Sequence, residues 1–169
     1  MNIQSPVFSH PILQPWPATR PHVMQLYSFP TPNGVKVSIA LKELGLDYEP
    51  HRVTLLDANV KSPAFLSLNP KNKIPALIDP NGPNGEMVEL FESGTILIYP
   101  AEKTGKFMPE GAAKYDVLKW LMFQLGGLGP MLGQLGYFVK FAGKEIEDPR
   151  PRERFQTEAK RLLAMLEGK

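Results

Sequence analysis

Chemistry in this chain could begin at PTPNG, residues 30–34, where a short apolar segment gives way to a helix-forming one. Thr31 offers a hydroxyl and Asn33 a carboxamide at the start of that helix. Unpaired N–H groups and the helix dipole stabilise negative charge at such a position. A thiol bound there would ionise below its usual pKa of about 8.5. The alternative is a turn in which these side chains only cap the local backbone.

The 169 residues include no cysteine. Disulfides, thiolate metal sites and a cysteine nucleophile are therefore excluded. Sulfur chemistry at PTPNG would need a thiol from outside the polypeptide.

Two further motifs carry groups that suit a peptide-like ligand. In NKIPA, residues 72–76, a cis Ile74–Pro75 bond would turn the backbone of Ile74 outward to pair with an extended peptide. An ordinary turn proline is the alternative. In FES, residues 91–93, we expect Ser93 to cap a helix whose free N–H groups favour a carboxylate. Glu92 is placed to take an ammonium group.

The motifs lie at the junctions of a β-α-β-α-β-β-α pattern. Strands are predicted over MQLYSF, YEPHRVTL, IPALID and EMVELF, and helices over VKVSIALKELG, SPAFLSLNP and ESGTILIYPAEKTG. Ser62 with Pro63 marks a helix start, and Gly45 and Gly105 mark helix ends. The apolar face of the first helix is predicted to contain Val35, Val37, Ile39, Ala40 and Leu44. The order is that of a thioredoxin-like fold, one mixed sheet between helices.

The two ends of the chain differ from this middle region. Residues 1–22 are rich in proline and predict an extended arm, either loose or anchored through Ile12, Leu13 and Trp16. After KFMPEGAAK the pattern becomes all-helical, with a long apolar stretch rich in methionine and glycine. DPRPRERFQTEAKRLLAML predicts another helix.

Composition argues against several partners. The net charge of +2 comes without a dense lysine and arginine stripe, which disfavours nucleic acid. No stretch approaches the roughly 20 apolar residues of a membrane-spanning helix. The N-terminal segment has no basic start, and its prolines interrupt any apolar leader segment. We therefore expect a soluble, cytoplasmic protein.

A family resemblance is carried by LYSFPTPNGVKVSIALKELGLDYE, NPKNKIPALID and LFESGTILIY, which resemble the N-terminal domain of cytosolic glutathione transferases. The later segments WLMFQLGGLGPMLGQ and RPRERFQTEAKRLL are most similar to the bacterial nu class. That class contains disulfide-bond reductases related to the yeast prion-type glutathione transferase homologue. The motifs agree in order and spacing from about Met24 to the last residue.

The resemblance implies that the missing thiol comes from glutathione, bound as a co-substrate in its reduced or disulfide form, with no metal. Two glutathiones, or one glutathione disulfide, would occupy the site and exchange with a disulfide substrate. Thr31 and Asn33 would stabilise the sulfur. Ile74, next to Pro75, would pair with the cysteinyl backbone.

The resemblance also assigns the charged ends of glutathione. Glu92 and Ser93 would hold the γ-glutamyl end, and Lys73 would contact a carboxylate. Arg154 matches an arginine that reaches the bound glutathiones in the family, where a guanidinium suits a glycine carboxylate. Considered alone, Arg154 is one member of an exposed basic cluster that needs no ligand.

Three departures from the family pattern stand out. Pro100 falls inside the helix that begins near Ser93, where it should kink or break the helix near Tyr99. Val60 replaces a polar residue that often touches glutathione. The chain also stops after its second long helix, which leaves an apolar face without its usual cover and suggests a partner chain or a shortened protein. That face contains Phe155, Leu162, Leu163 and Leu166.

The predicted organisation is an extended arm over 1–22, a thioredoxin-like glutathione-binding domain over 23–106 and an incomplete all-helical domain over 107–169. The leading hypothesis is a glutathione-dependent disulfide-bond oxidoreductase, a homodimer by family resemblance. Two alternatives stay open: a transferase that conjugates glutathione to electrophiles, and a non-catalytic module of the same fold.

Overall fold

The computed structural model describes residues 9–141 and 145–168. They form two compact units that divide between Met108 and Pro109. The strands of the first unit are β1 (Met24–Ser28), β2 (Tyr48–Arg52), β3 (Ala76–Asp79) and β4 (Val88–Phe91). Its helices are α1 (Pro32–Leu44), α2 (Asp57–Val60), α3 (Pro63–Leu68) and α4 (Ser93–Thr104). Short 3-10 turns lie at Pro11–Leu13 and Pro83–Gly85.

The four strands form one mixed sheet in the order β2-β1-β3-β4. β1 pairs with β2 in parallel, and β3 pairs antiparallel with both β1 and β4. Leu26 sits opposite Pro50 on one side and Leu77 on the other. This topology confirms the predicted thioredoxin-like α/β fold.

The sheet has a core on each face because successive side chains of a strand point in opposite directions. Leu26 of β1 belongs to a buried cluster with Val37 and Leu41 of α1 and Ile96 of α4. Tyr27, the next residue, belongs to a second buried cluster, which also contains Phe65 of α3. The first unit is therefore a three-layer structure, in which the sheet lies between two packed layers.

Helix α1 begins and ends as its sequence indicates, but its buried face differs from the prediction. The Thr31 hydroxyl caps the first turn, and Gly45 ends the helix in the left-handed conformation with φ +72°. The buried positions are Gly34, Val37, Leu41 and Leu44. Val35 and Ile39 are exposed, because the 3.6-residue period places them off this stripe.

The connection from β2 to β3 contains one predicted helix and one that was not predicted. Ser62 caps α3 by accepting a hydrogen bond from the Phe65 N–H at 3.2 Å, with Pro63 in the first turn. The single turn of α2 is too short to produce a periodic pattern. Val60 at its end is buried in the core, so its side chain has a packing role.

Helix α4 corrects two predictions. It runs unbroken from Ser93 to Thr104, so the break expected at Pro100 does not occur. Ile96, Pro100 and Ala101 are all buried on one side of the helix, and this packing offsets the loss of one backbone hydrogen bond. Ser93 is the first helical residue rather than the cap, and Glu92 occupies the cap position without a side-chain cap bond.

The arm, as far as residues 9–22 describe it, is anchored on the first unit. Ile12 is fully buried, and Leu13 and Trp16 pack against the same core cluster. The Trp16 indole N–H also donates to the carbonyl of Arg52 at 3.1 Å. The anchored alternative is therefore the one observed.

A buried carboxylate holds the end of this arm. Glu49 of β2 accepts hydrogen bonds from the backbone N–H groups of Thr19 and Arg20 and from the Thr19 hydroxyl. Burial by itself would raise the pKa of Glu49, but the hydrogen bonds from Thr19 and Arg20 outweigh it and lower that pKa to about 2. Glu49 thus stays ionised and fixes the arm to the sheet edge.

The second unit is helical. It contains α5 (Ala112–Phe123), α6 (Gly129–Gly136) and α7 (Arg150–Glu167), with π-helical turns at Gln124–Leu128 and Tyr137–Phe141. Phe155 of α7 stacks on Phe138 at a ring distance of 5.6 Å. Of the described residues in this unit, only Ala159 and Leu162 are buried. Within the described ranges, no helix combines the length and apolar character needed to cross a membrane.

Candidate functional site

A small polar cavity in the first unit brings most of the predicted site residues together. Its volume is about 140 Å³. Its lining consists of Asn33, Asn69, Lys71, Lys73, Ile74, Pro75, Glu92 and Ser93. Three separate chain segments therefore meet here: the start of α1, the loop before β3 and the start of α4.

The start of α1 supplies Asn33. A Cβ atom on Gly34 would collide with the carbonyl oxygen of Phe29 and the hydroxyl of Ser28, so the first turn needs glycine at this position. The Thr31 hydroxyl accepts the Gly34 N–H at 3.3 Å and keeps its own proton for donation. Thr31 does not line the cavity, and the local capping considered in the sequence is present.

Lys36 adds a cation next to this turn. Its ammonium group donates to the Asn33 carboxamide oxygen at 3.0 Å. Burial lowers the pKa of Lys36, while the carboxylate of Glu92 acts in the opposite direction. The charges of Lys36 and Glu92 therefore interact, and this interaction connects the starts of α1 and α4.

The loop before β3 is held in shape by Asn69, a residue that the sequence analysis missed. Asn69 is buried, its amide donates to the carbonyl of Lys73, and its side-chain oxygen accepts the Lys71 N–H at 3.0 Å. These bonds close a turn that presents Lys71 and Lys73 on the cavity wall. The Asn-Pro dipeptide at 69–70 was the available signal, since it commonly marks a turn.

The Ile74–Pro75 peptide bond is cis, as predicted. Within residues 9–141 and 145–168, the N–H and C=O groups of Ile74 make no backbone hydrogen bond. They are therefore available to pair with an extended peptide ligand, as the NKIPA motif predicts.

Glu92, which also lines the cavity, has an uncommon backbone conformation. Its φ of +67° lies in a region that side chains other than glycine rarely adopt, at a cost of about 1–3 kcal/mol. The Glu92 carboxylate accepts a hydrogen bond from the ammonium of Lys71 at 2.6 Å. Lys71 is the second site residue that the sequence did not reveal, because a turn lysine is usually only solvated.

The remaining candidates lie elsewhere. Arg154 belongs to the second unit, where it lines a different cavity with Arg150, Glu153 and Phe155. Its contact with glutathione stays a prediction. Tyr27 of β1 was not predicted as a site residue; it is fully buried, and this burial raises the pKa of its hydroxyl, so it is unsuited to act as an ionised group. No group of three His, Asp or Glu side chains that could hold a metal ion occurs in the described part of the chain.

Comparison with protein families gives one match to this region. The model for the glutathione S-transferase N-terminal domain matches residues 22–102. A curated relative, the disulfide-bond oxidoreductase YfcG of Escherichia coli strain K12, is 45% identical over 146 residues, which are 85% of this chain and 67% of the relative.

Two solved structures resemble this chain over more than nine tenths of its length. A glutathione transferase family member from Pseudomonas fluorescens Pf-5, with two glutathiones bound, has a TM-score of 0.91 and 56% identity, covering 94% of this chain and 70% of that one. A glutathione transferase from Pseudomonas putida, with one glutathione disulfide bound per subunit, has a TM-score of 0.89 and 57% identity, covering 92% and 68%. The chain spans about two fifths to two thirds of the length of the curated relatives it matches.

Proposed function

The chain belongs to the glutathione transferase family, and from this membership we propose that it is a glutathione-dependent disulfide-bond oxidoreductase. The observation that carries the proposal is that α1 and α4 begin on the same cavity. One helix start can stabilise a sulfur anion, and the other can receive the γ-glutamyl end of the same tripeptide.

The charges of the cavity fit this ligand. Glutathione carries two carboxylates and one ammonium group at neutral pH. The cavity offers two ammonium groups, on Lys71 and Lys73, and one carboxylate, on Glu92. The start of α4, which no side chain caps within the described residues, supplies further N–H donors near Ser93.

The reaction is thiol–disulfide exchange. One glutathione thiolate attacks a sulfur of the substrate disulfide and releases a thiol, and a second glutathione thiolate then attacks the mixed disulfide to give the second thiol and glutathione disulfide. Asn33, at the start of α1, favours the thiolate over the thiol. Ile74 orients the cysteinyl residue through its backbone, and Glu92 with Ser93 fixes the γ-glutamyl end.

Three parts of this proposal rest on family resemblance. The hydroxyl of Thr31 donates to the sulfur, and Arg154 contacts a glycine carboxylate of bound glutathione. The protein acts as a homodimer. Its location in the cytoplasm is proposed from the sequence pattern alone.

The first test is reduction of a small model disulfide with glutathione as the reductant. We expect turnover that depends on both compounds, together with two glutathione equivalents per chain in native mass spectrometry. Rates on a chloroaromatic electrophile, measured alongside, separate this activity from conjugation. A folded chain that is not retained on immobilised glutathione and reduces no disulfide would contradict the proposal and favour the non-catalytic alternative.

A further inference from the structure

The ion pair between Lys71 and Glu92 occupies the position that the proposed function gives to the ligand. Glu92 is the carboxylate assigned to the γ-glutamyl ammonium, yet its Oε1 atom already accepts a hydrogen bond from the Lys71 ammonium at 2.6 Å. A ligand ammonium and the Lys71 ammonium therefore compete for the same oxygen.

This competition need not oppose binding, because the pair is weak. Both side chains are half or more exposed, at 62% for Lys71 and 50% for Glu92. Exposed pairs of this kind contribute little to stability, since water screens both charges. Lys71 can therefore leave Glu92 easily when another cation arrives.

The structure of an α-amino acid indicates which group the Lys71 ammonium contacts after it leaves Glu92. The α-ammonium and α-carboxylate of a γ-glutamyl group are attached to the same carbon atom. An ammonium group bound to Glu92 thus brings a carboxylate beside the oxygen that Lys71 has just left. The long, flexible lysine side chain needs only a small movement to contact it.

We propose that Lys71 is a specificity-determining residue that recognises the α-carboxylate of the γ-glutamyl group, exchanging its contact with Glu92 for one with the ligand. Lys71 and Glu92 together would then select a zwitterionic α-amino acid end over an amine or an acid alone. This inference rests on the proposed function and adds Lys71 to the N–H donors at the start of α4 as a second contact for the α-carboxylate.

The loop geometry supports this role. Asn69 fixes the backbone of Lys71 by accepting its N–H, so the base of the lysine stays at the cavity wall while its head is free to move. Lys73 also lines the cavity and, within the described ranges, makes no ion pair with Glu92. The two lysines are therefore placed for different carboxylates of one ligand.

The test crosses two variants with two ligands in isothermal titration calorimetry. The ligands are glutathione and γ-aminobutyryl-cysteinyl-glycine, which keeps the ammonium group but lacks the α-carboxylate. We expect Lys71→Met to bind glutathione about fivefold more weakly, the scale of one partly exposed charged contact. The same variant should bind the decarboxylated tripeptide as well as the unchanged protein does, or more tightly, since Glu92 is no longer paired.

Lys61→Met is the matched control. Lys61 forms an exposed ion pair with Asp57 at 2.8 Å in the same unit but does not line the cavity. Lys61→Met removes the same charge as Lys71→Met and should change the affinity for neither glutathione nor the decarboxylated tripeptide. Lys71→Arg, which keeps the charge, should restore most of the glutathione affinity.

The possible outcomes separate the two proposals. Equal weakening of both ligands by Lys71→Met, or tighter glutathione binding, would overturn the role of Lys71 while leaving the proposed function intact. Absence of glutathione binding by the unchanged protein would overturn both.

Discussion

The two units of this chain differ in how much apolar surface they bury. The first unit has a core on each face of its sheet, with Tyr27, Phe65 and Leu77 fully buried. In the second unit, the described residues include many large apolar side chains, but only Ala159 and Leu162 are buried. Tyr115 and Phe141 are more than 70% exposed.

This difference indicates which unit can hold a binding site with accurate geometry. A site that must hold groups to fractions of an ångström requires elements locked by packing. The cavity lies entirely within the densely packed unit, where α1 and α4 pack on one face of the sheet and Ile74 of the loop before β3 belongs to the core on the other face. Among the described residues of the second unit most large apolar side chains are not buried, and Leu163 and Leu166 of α7 are about 40% exposed. Exposed apolar surface of this kind is suited to being covered.

The largest expected effect comes from removing core volume in the first unit. Leu41→Ala should lower the free energy of unfolding by about 2–5 kcal/mol, because Leu41 is fully buried between α1 and the sheet. Leu163→Ala, the same change at a position of α7 that is 42% exposed, should lower it by less than about 1 kcal/mol. Urea denaturation followed by circular dichroism measures both. Similar losses in the two variants would remove the contrast between the units.

Activity should depend on the first unit nearly as strongly. Asn33→Ala should reduce disulfide reductase turnover about one hundredfold, the scale of losing one preorganised donor to a developing anion. Asn81→Ala is the control, since Asn81 lies in the same unit, bonds the carbonyl of His22 and does not line the cavity. Unchanged turnover in Asn33→Ala would remove that residue from the mechanism.

The anchoring of the arm predicts a pH dependence of stability. The folded pKa of Glu49 is about 2, below its ordinary value of 4.5, so its contribution is fully present above pH 4.5 and is lost as the pH falls towards 2. Glu49→Gln should lower stability at pH 7 by about 1–2 kcal/mol and flatten this acid dependence. Thermal melts from pH 2 to 7 measure the difference.

The control for this prediction lies in the second unit. Glu158 forms an exposed ion pair with Arg161 at 2.6 Å, which is typical of pairs with little net effect. Glu158→Gln should therefore leave both the stability at pH 7 and the acid dependence unchanged. If the unchanged protein and Glu49→Gln show the same acid transition, that transition is caused by carboxylates other than Glu49.

The smallest expected effect tests whether the second unit contributes to binding. If Arg154 contacts a glycine carboxylate, Arg154→Ala should weaken glutathione binding about threefold, as expected for an exposed charge. Arg152→Ala, two residues earlier on the same helix, should leave the affinity unchanged. Equal effects of the two variants would indicate a general charge effect rather than a specific contact.

Most elements of the first unit could be predicted because their signals are local. A proline after a serine starts α3, a glycine ends α1, and short segments bounded by turn residues mark the strands. Predictions failed where packing decides. Pro100 is tolerated because its helix is buried around it, and Val35 and Ile39 are exposed because the sheet contacts a neighbouring stripe of α1.

The sequence by itself predicted the ligand class through its resemblance to the glutathione transferases, and the absence of cysteine meant that sulfur chemistry at Thr-Pro-Asn-Gly would need a thiol from outside the chain. The sequence also predicted most of the residues that line the cavity, because they belong to short motifs whose backbone conformation is determined locally. Only the tertiary structure showed that Asn69 shapes the loop and that Lys71 contacts Glu92, 21 residues away in the chain. Such contacts depend on where the fold brings distant segments together, and residue type alone does not reveal them.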